Sequence, residues 1–333
     1  MIKKTWLAAL LLALAAPMAF AETDHVRLSH GYSTSYLPLM VMRDQHLLEA
    51  QAASMGLGKI DTTWQVIDGG NNINDALLAD RVDILGIGVP GFVTMWSKTL
   101  NMSGHQVIGI SGTGTGGMWL NTNNPKLHSL SDFTSADKIA LPGIKTSYAA
   151  VVLEMAAAKT FGAAQYEKLD PLTVGLPHPD ATAALLSGKT EIDAHFASPP
   201  FSYRELQDPK IHRVFSSMDM FGPLTVIMVM APKRFSDANP VLMKAFLAAE
   251  DKAISFIAAH RSEAAAIYIR MSGLKMDQAE LEKILADPEQ AYSATPVGMM
   301  QYADFMAEAG SIKARPHAWT DMFIPQVRDL PGS

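Results

Sequence analysis

The feature that most constrains the fold is a segment that occurs twice. Ala76-Leu77-Leu78-Ala79-Asp80-Arg81-Val82-Asp83-Ile84 is echoed by Ala184-Leu185-Leu186-Ser187-Gly188-Lys189, with Ile192-Asp193-Ala194 shortly after. Each copy reads as the end of a helix, a tight turn and the start of a buried strand. Each strand then ends in a Pro-containing loop, Gly88-Val89-Pro90 in the first and Ser198-Pro199-Pro200 in the second. A helix feeding a strand in both halves of a 333-residue chain implies two similar α/β units.

The flanking sequence fills in both units. Strands are expected over residues 26–29, 60–67, 82–88 and 107–111, and helices over 37–51 and 72–78. The rhythm restarts with strands over 138–141, 172–176 and 191–196 and helices over 146–161 and 180–186. From residue 240 the pattern is helical, over 240–260, 261–271, 277–286 and 296–309. Two Gly-containing connections, 112–117 and 218–223, carry the chain from one unit to the other and back. The expected fold is therefore α/β and two-lobed, with mostly parallel sheets and two crossing hinge segments. Residues 22–115 and 218–333 form lobe I, and residues 116–217 form lobe II. Ligands of open α/β sheets bind at the carboxyl ends of the strands, so the site is expected in the cleft between the lobes.

The first 21 residues stand apart. Lys3 and Lys4 precede an apolar run over 6–16, Pro17 breaks it, and Ala19-Phe20-Ala21 gives a small-x-small pattern before Glu22. This reads as a cleavable export signal and places the mature protein in a periplasm. Loss of Lys3 and Lys4 with that segment moves the formal net charge from −6 to −8. An acidic surface disfavours nucleic acid and anionic membranes as partners. The sequence has no cysteine, which excludes disulfides, thiol nucleophiles, zinc–thiolate sites, iron–sulfur clusters and a lipoprotein anchor. The ten histidines show no HExxH or other close ligand spacing, and there is no G-x-S-x-G elbow. No metal, cofactor or catalytic residue is expected.

Several motifs in order carry a family resemblance. Gly31 closes the opening strand, and Gly69-Gly70 leads to Ala76-Leu77-Leu78 and Val82-Asp83-Ile84. Leu130-Ser131-Asp132-Phe133 precedes Ile139-Ala140-Leu141-Pro142-Gly143, the echo follows, and Asn239-Pro240 opens a helix with Phe246-Leu247-Ala248-Ala249. The chain resembles the periplasmic substrate-binding proteins of ABC importers for nitrate, taurine and aliphatic sulfonates. That resemblance implies a type II periplasmic-binding-protein fold. It also implies a monomeric receptor that captures a small organic anion and delivers it to the transmembrane permease subunits, meeting the membrane only through them. Thr134-Ser135-Ala136-Asp137-Lys138 departs from the Gly-Lys pair usual at that point, which bears on subfamily and not on fold. The fungal pyrimidine synthase of thiamine biosynthesis shares this fold but uses a cysteine-rich iron-binding motif, which a chain without cysteine cannot hold. The expectation is a receptor and not an enzyme.

Candidate ligand-binding residues cluster at the expected strand ends. After the first strand come His30, Tyr32, Ser33, Ser35 and Tyr36; helix capping accounts for one serine but not for the whole set. Gly69, Gly70 and Asn71 follow the second strand, where a glycine turn with an Asn cap is the alternative. Val89 and Pro90 follow the third. Gly114 and Thr115 lie in the first crossing. There Gly112-x-Gly114-x-x-Gly117 matches the dinucleotide fingerprint formally, but strand-like Met118-Trp119-Leu120 follows instead of a helix, so a hinge is expected. Gly143, Lys145, Thr146 and Ser147 precede a long helix whose first N–H groups favour an anion; a plain cap with a solvated Lys145 is the alternative. His178 and His195 can donate to an acidic group and Phe196 can cover apolar carbon, or they serve only structure. Phe221, in the second crossing, adds to an aromatic and methionine-bearing set that suits one acidic head on an apolar body. No arginine cluster marks the strand ends. A taurine-like sulfonate is the first choice, with an aromatic carboxylate or a pyrimidine thiamine precursor as alternatives.

Overall fold

The computed structural model describes residues 22–67, 70–145 and 147–333. The expected export signal lies outside the described residues, as do Asp68, Gly69 and Thr146.

Short β-branched and apolar runs form ten strands among the described residues. These are β1 (His25–His30), β2 (Asp61–Val66), β3 (Ile84–Gly88), β4 (Val107–Thr115) and β5 (Trp119–Thr122), then β6 (Ile139–Leu141), β7 (Thr173–Gly175), β8 (Ala194–Ala197), β9 (His212–Ser216) and β10 (Thr225–Pro232). They make two five-stranded sheets, ordered β2-β1-β3-β10-β4 and β7-β6-β8-β5-β9. In the first, β1 pairs parallel to β2 and β3, and β10 runs antiparallel between β3 and β4. In the second, β6 pairs parallel to β7 and β8, and β5 runs antiparallel between β8 and β9. The two sheets therefore share one plan. The repeated segment occupies the same place in each, leading from a helix into the central parallel strand β3 or β8.

The antiparallel strands come from the crossings. Edge strand β4 of the first sheet feeds β5 of the second, and edge strand β9 feeds β10 of the first. The crossings are shorter than the glycine spacing suggests. Gly112, Gly114 and Thr115 belong to β4, paired with β10. Gly114 has φ +145, and a Cβ there would lie 2.1 Å from the Ala291 carbonyl oxygen. The Thr115 N–H donates to that same oxygen at 2.8 Å. This glycine thus allows close approach of the 291–295 strap rather than a loose connection.

Helices cover both sheets. In lobe I, α1 (Leu37–Asp44), α2 (Leu47–Ser54), α3 (Gly70–Leu78) and α4 (Val89–Thr99) follow the strands. The expected single helix over 37–51 is broken at His46, which takes a left-handed conformation at φ 52. Expected as a loop, Val89-Pro90 is instead the first turn of α4; proline is accepted there because a first-turn N–H has no intrahelical partner. In lobe II, α5 (Tyr148–Phe161), α6 (His178–Ser187) and α7 (Phe201–Glu205) pack on the second sheet, and α8 (Ser217–Phe221) forms the return crossing. The C-terminal part contributes α9 (Lys233–Ala238), α10 (Pro240–Ala259), α11 (Arg261–Ser272), α12 (Gln278–Leu285) and α13 (Met299–Glu308). Met40, Phe92, Met228 and Phe246 are fully buried between the first sheet and these helices. Among the described residues no helix is long and apolar enough to cross a membrane.

Candidate functional site

The carboxyl ends of the parallel strands in both sheets face one cleft, and a helix starts directly after several of them. The cleft is narrow, and part of it is open to solvent. Ser33, Tyr36, Gly88, Gly91 and Ile227 line it from lobe I, and Ser147, Tyr148, Ala149, His178 and Ser198 from lobe II. The first turns of α4, α5 and α6 therefore meet there. First-turn N–H groups have no intrahelical acceptor, so those not lost to Pro90 and Pro179 or taken by the Ser147 cap are donors at the helix starts, and the cleft meets the positive ends of three helix dipoles. No lysine or arginine lines it among the described residues. Ile73, Ile87, Met118 and Val226 make the rest of the wall apolar.

The lobes touch above this cleft. The Pro199 carbonyl oxygen accepts from the Thr34 N–H at 3.0 Å, and from Thr34 Oγ1 and Ser33 Oγ at 3.2 Å each. Ser33 also caps the 3₁₀ turn Thr34–Tyr36 by accepting from the Ser35 N–H. Tyr36 reaches the cleft wall because two glycines leave room for its ring. A Cβ at Gly31 or at Gly86 would stand 2.7 Å from a ring carbon.

Several expected residues lie elsewhere for clear reasons. His30 is fully buried behind the cleft. Its Nδ1 pairs with the Gly31 carbonyl at 3.0 Å and its Nε2 with Arg43 at 3.3 Å, so neither ring nitrogen is free. Burial, together with Arg43, pushes its pKa down to about 4. Tyr32 sits at the outer mouth beside Pro177 and Asp180. Ser35 is buried against Ser33. Gly70 and Asn71 are in the first turn of α3, and Val89 is core. Gly143 accepts from the Ser147 hydroxyl at 2.6 Å, and Ser147 Oγ caps α5 by accepting from the Ala150 N–H at 3.1 Å. That hydroxyl is thus spent on the helix, while Tyr148 and Ala149 line the cleft. Lys145 is exposed with φ 63, and its charge favours the ionised forms of Glu154 and Asp170, away from the cleft. Phe196 is buried against Phe215, with ring centroids 5.1 Å apart. Phe221 ends α8 beneath Lys159, whose Nζ lies 5.4 Å from the ring centre. Among the described residues no group of three His, Asp or Glu side chains is placed to hold a metal ion.

The sequence reading brought together Ser33, Tyr36, Ser147 and His178 at the cleft. It missed Ser198, although that residue directly follows β8 at a strand end. Ser198 is 3% exposed and its Oγ has no hydrogen-bond partner among the described residues. It also missed Glu205, which holds His195. That ring is fully buried, with Nδ1 at 2.5 Å from Glu205 Oε1 and Nε2 at 2.9 Å from His178 Nδ1. His195 therefore stands behind His178 and not in the cleft, held there by Glu205.

No protein-family profile matches the sequence, and no curated protein matches it. Solved structures do match. The alkanesulfonate-binding protein SsuA of Xanthomonas axonopodis pv. citri, bound to MOPS, aligns over 89% of this chain and 96% of its own, with TM-score 0.69 and 18% identity. The chain has the type II periplasmic-binding-protein fold. The periplasmic aliphatic sulphonate binding protein SsuA of Escherichia coli aligns over 90% of this chain and 99% of its own, with TM-score 0.66 and 16% identity. The periplasmic nitrate-binding protein NrtA of Synechocystis PCC 6803 aligns over 90% and 84%, with TM-score 0.66 and 15% identity.

Proposed function

We propose that this protein is the solute-binding receptor of an ABC importer and closes its lobes on a small organic anion with an apolar body, a sulfonate first among the candidates. The observation that carries the reading is the cleft: three helix N-termini meet in an apolar pocket that holds a buried Ser198 hydroxyl with no partner among the described residues. Such a site offers directed donors without a side-chain cation. That suits one delocalised negative charge better than a multiply charged anion. The structural neighbours named for sulfonate and nitrate support the same class. The chain would act in the periplasm after removal of residues 1–21, pass its ligand to the permease and reach the membrane only through it. The lobes would be 22–115 with 218–333 and 116–217, moving about the two crossings. That no lysine or arginine among the described residues lines the cleft also admits a neutral aminopyrimidine, which would take the same donors on its ring nitrogens.

A thermal-shift panel of alkanesulfonates, aromatic carboxylates and pyrimidines on the mature protein tests the reading, since a ligand bound only by the native state raises Tm by mass action. The expected result is the largest shift with a sulfonate. A shift confined to pyrimidines would replace the ligand class, and no shift with any class would refute the receptor reading for these solutes.

A further inference from the structure

Beside the cleft the lobes meet at Gly88 and Tyr148 as well as at Pro199. Gly88 ends β3 in lobe I and leads into α4, and Tyr148 opens α5 in lobe II. Both residues line the cleft. Tyr148 is buried, and its ring stands 5.9 Å from that of Tyr302, a fully buried residue of α13 in lobe I. A side chain of lobe II is thus packed on lobe I at the edge of the cleft.

The backbone of Gly88 does not call for glycine. Its φ of −58 and ψ of 139 suit any residue. Space does call for it. Chain neighbours aside, the three atoms nearest to a Cβ at this position among the described residues all belong to Tyr148: its Cβ at 3.1 Å, its backbone nitrogen at 3.4 Å and its Cα at 3.7 Å. Carbon atoms in ordinary contact stand about 3.5–4.0 Å apart, so a methyl group would push Tyr148 back by roughly 0.5 Å. The atoms in the way are main chain and Cβ, not the tip of a flexible side chain. They give way only if the start of α5 moves, and α5 moves with lobe II. The room left by the missing side chain is therefore room for the other lobe.

We propose that Gly88 is a specificity-determining residue: its missing side chain sets how closely α5 approaches β3, and so how thick a solute the closed cleft accepts. This rests on the cleft being the binding site, as proposed above, and it adds a shape to the ligand class. The solute is slender between the two lobes, as an unbranched alkanesulfonate is. A solute branched at that point holds Tyr148 off Gly88 and forfeits the packing of its ring on Tyr302. A side chain at position 88 acts in the opposite sense. It props the lobes apart, leaves a slender solute loosely held and makes room for a branched one.

One arm of the test needs no ligand. The chain has no cysteine, so Gly88→Cys combined with Tyr148→Cys introduces a single thiol pair. A few tenths of an ångström of opening brings the 3.1 Å Cβ separation into the range of about 3.5–4.5 Å that a disulfide spans. Dilute folded protein with oxidised glutathione, which takes up the two electrons and two protons, is expected to form the intramolecular disulfide, read by intact mass and peptide mapping. The second arm is calorimetric titration of wild type, Gly88→Ala and Gly88→Val with ethanesulfonate and with the branched 2,2-dimethylpropanesulfonate. Wild type is expected to prefer ethanesulfonate. Gly88→Ala should weaken ethanesulfonate about fivefold and Gly88→Val more than about tenfold, with a smaller loss for the branched compound, so that the preference narrows by about threefold or more. General damage to the fold would weaken both compounds alike. A folded cysteine pair that stays reduced overturns the proposal, as does a Gly88→Ala whose two affinities are unchanged or fall by the same factor. If Gly88→Val does not fold, Gly88→Ala carries the comparison; if the cysteine pair does not fold, the affinity ratio decides. Disulfide formation in a protein whose wild type ignores both sulfonates upholds the contact and removes the sulfonate reading.

Discussion

Ser198→Ala separates binding from folding more cleanly than any other change at the cleft. Its hydroxyl is buried, belongs to a residue that lines the cleft and has no partner among the described residues. Leaving such a group unpaired costs about 1–3 kcal/mol. A ligand that accepts from it relieves that cost, and a hydrogen bond to a charged acceptor contributes about 1.5–3 kcal/mol. At 1.4 kcal/mol per factor of ten, removal should raise Kd for an anionic ligand roughly 10- to 100-fold. A neutral ligand, with about 0.5–1.5 kcal/mol at stake, should lose about tenfold or less. The ligand-free protein has no bond to lose and is relieved of a buried unpaired group, so its Tm should stay level or rise. Titration calorimetry with ethanesulfonate, together with a ligand-free melt, reads both. A folded Ser198→Ala that binds as tightly as wild type would refute the reasoning. A large drop in ligand-free Tm would show that the hydroxyl is structural.

Other consequences are open to measurement. Thr34→Val removes one donor to the Pro199 carbonyl and should weaken lobe closure by about 0.5–1.5 kcal/mol, seen as a few-fold loss of affinity and a larger radius of gyration in solution scattering. Lys145→Ala should leave ethanesulfonate affinity within about twofold, because that side chain is exposed and its charge acts on Glu154 and Asp170; a tenfold loss in calorimetry would put it in the cleft. Gly86→Ala should cost about 1–3 kcal/mol in urea unfolding, since the added methyl meets the buried Tyr36 ring at 2.7 Å. Glu250 is fully buried, and burial pushes its pKa up to about 8, with Asp251 adding to the rise; Ser111 approaches and opposes it without a well-formed hydrogen bond. The native state therefore keeps a proton that the unfolded chain releases above its ordinary glutamate pKa. Stability should fall as pH rises from the unfolded value toward about 8, and Glu250→Gln should flatten that fall in denaturant titrations at pH 5 and 8.

The fold was legible where local pattern decides it. The duplicated leucine-turn-strand segment lies in matching positions of the two sheets, because a helix that feeds a parallel strand has its own sequence signature. What was hidden depends on distant partners. Strand β10 is an apolar run bounded by Gly222-Pro223 and Pro232, but its antiparallel place between β3 and β4 shows only in the fold. Val89-Pro90-Gly91 looks like a loop, yet a proline is welcome in a first helical turn, so α4 starts without one. The glycines of β4 look like a hinge, but Gly114 is there because Ala291 passes so close. At the site, strand-end position pointed to Ser33, Tyr36, Ser147 and His178. It could not show that the Ser147 hydroxyl is used by its own helix, or that His195, two residues into a doubly paired strand, faces Glu205 and not the cleft. Those facts are set by what packs behind each residue, which spacing along the chain does not record.

The central claim is that one small ligand is gripped between the lobes by helix starts and by the Ser198 and His178 side chains. A crystal structure of the protein with the compound that gives the largest thermal shift tests it most directly. The account predicts that compound in the cleft, its polar head within hydrogen-bond reach of the first turn of α5, Ser198 Oγ and His178 Nε2, and its apolar part against Ile87, Met118 and Ile227. A compound bound instead in the outer groove beside Tyr32 and Asp180, with the cleft filled only by water, would contradict it.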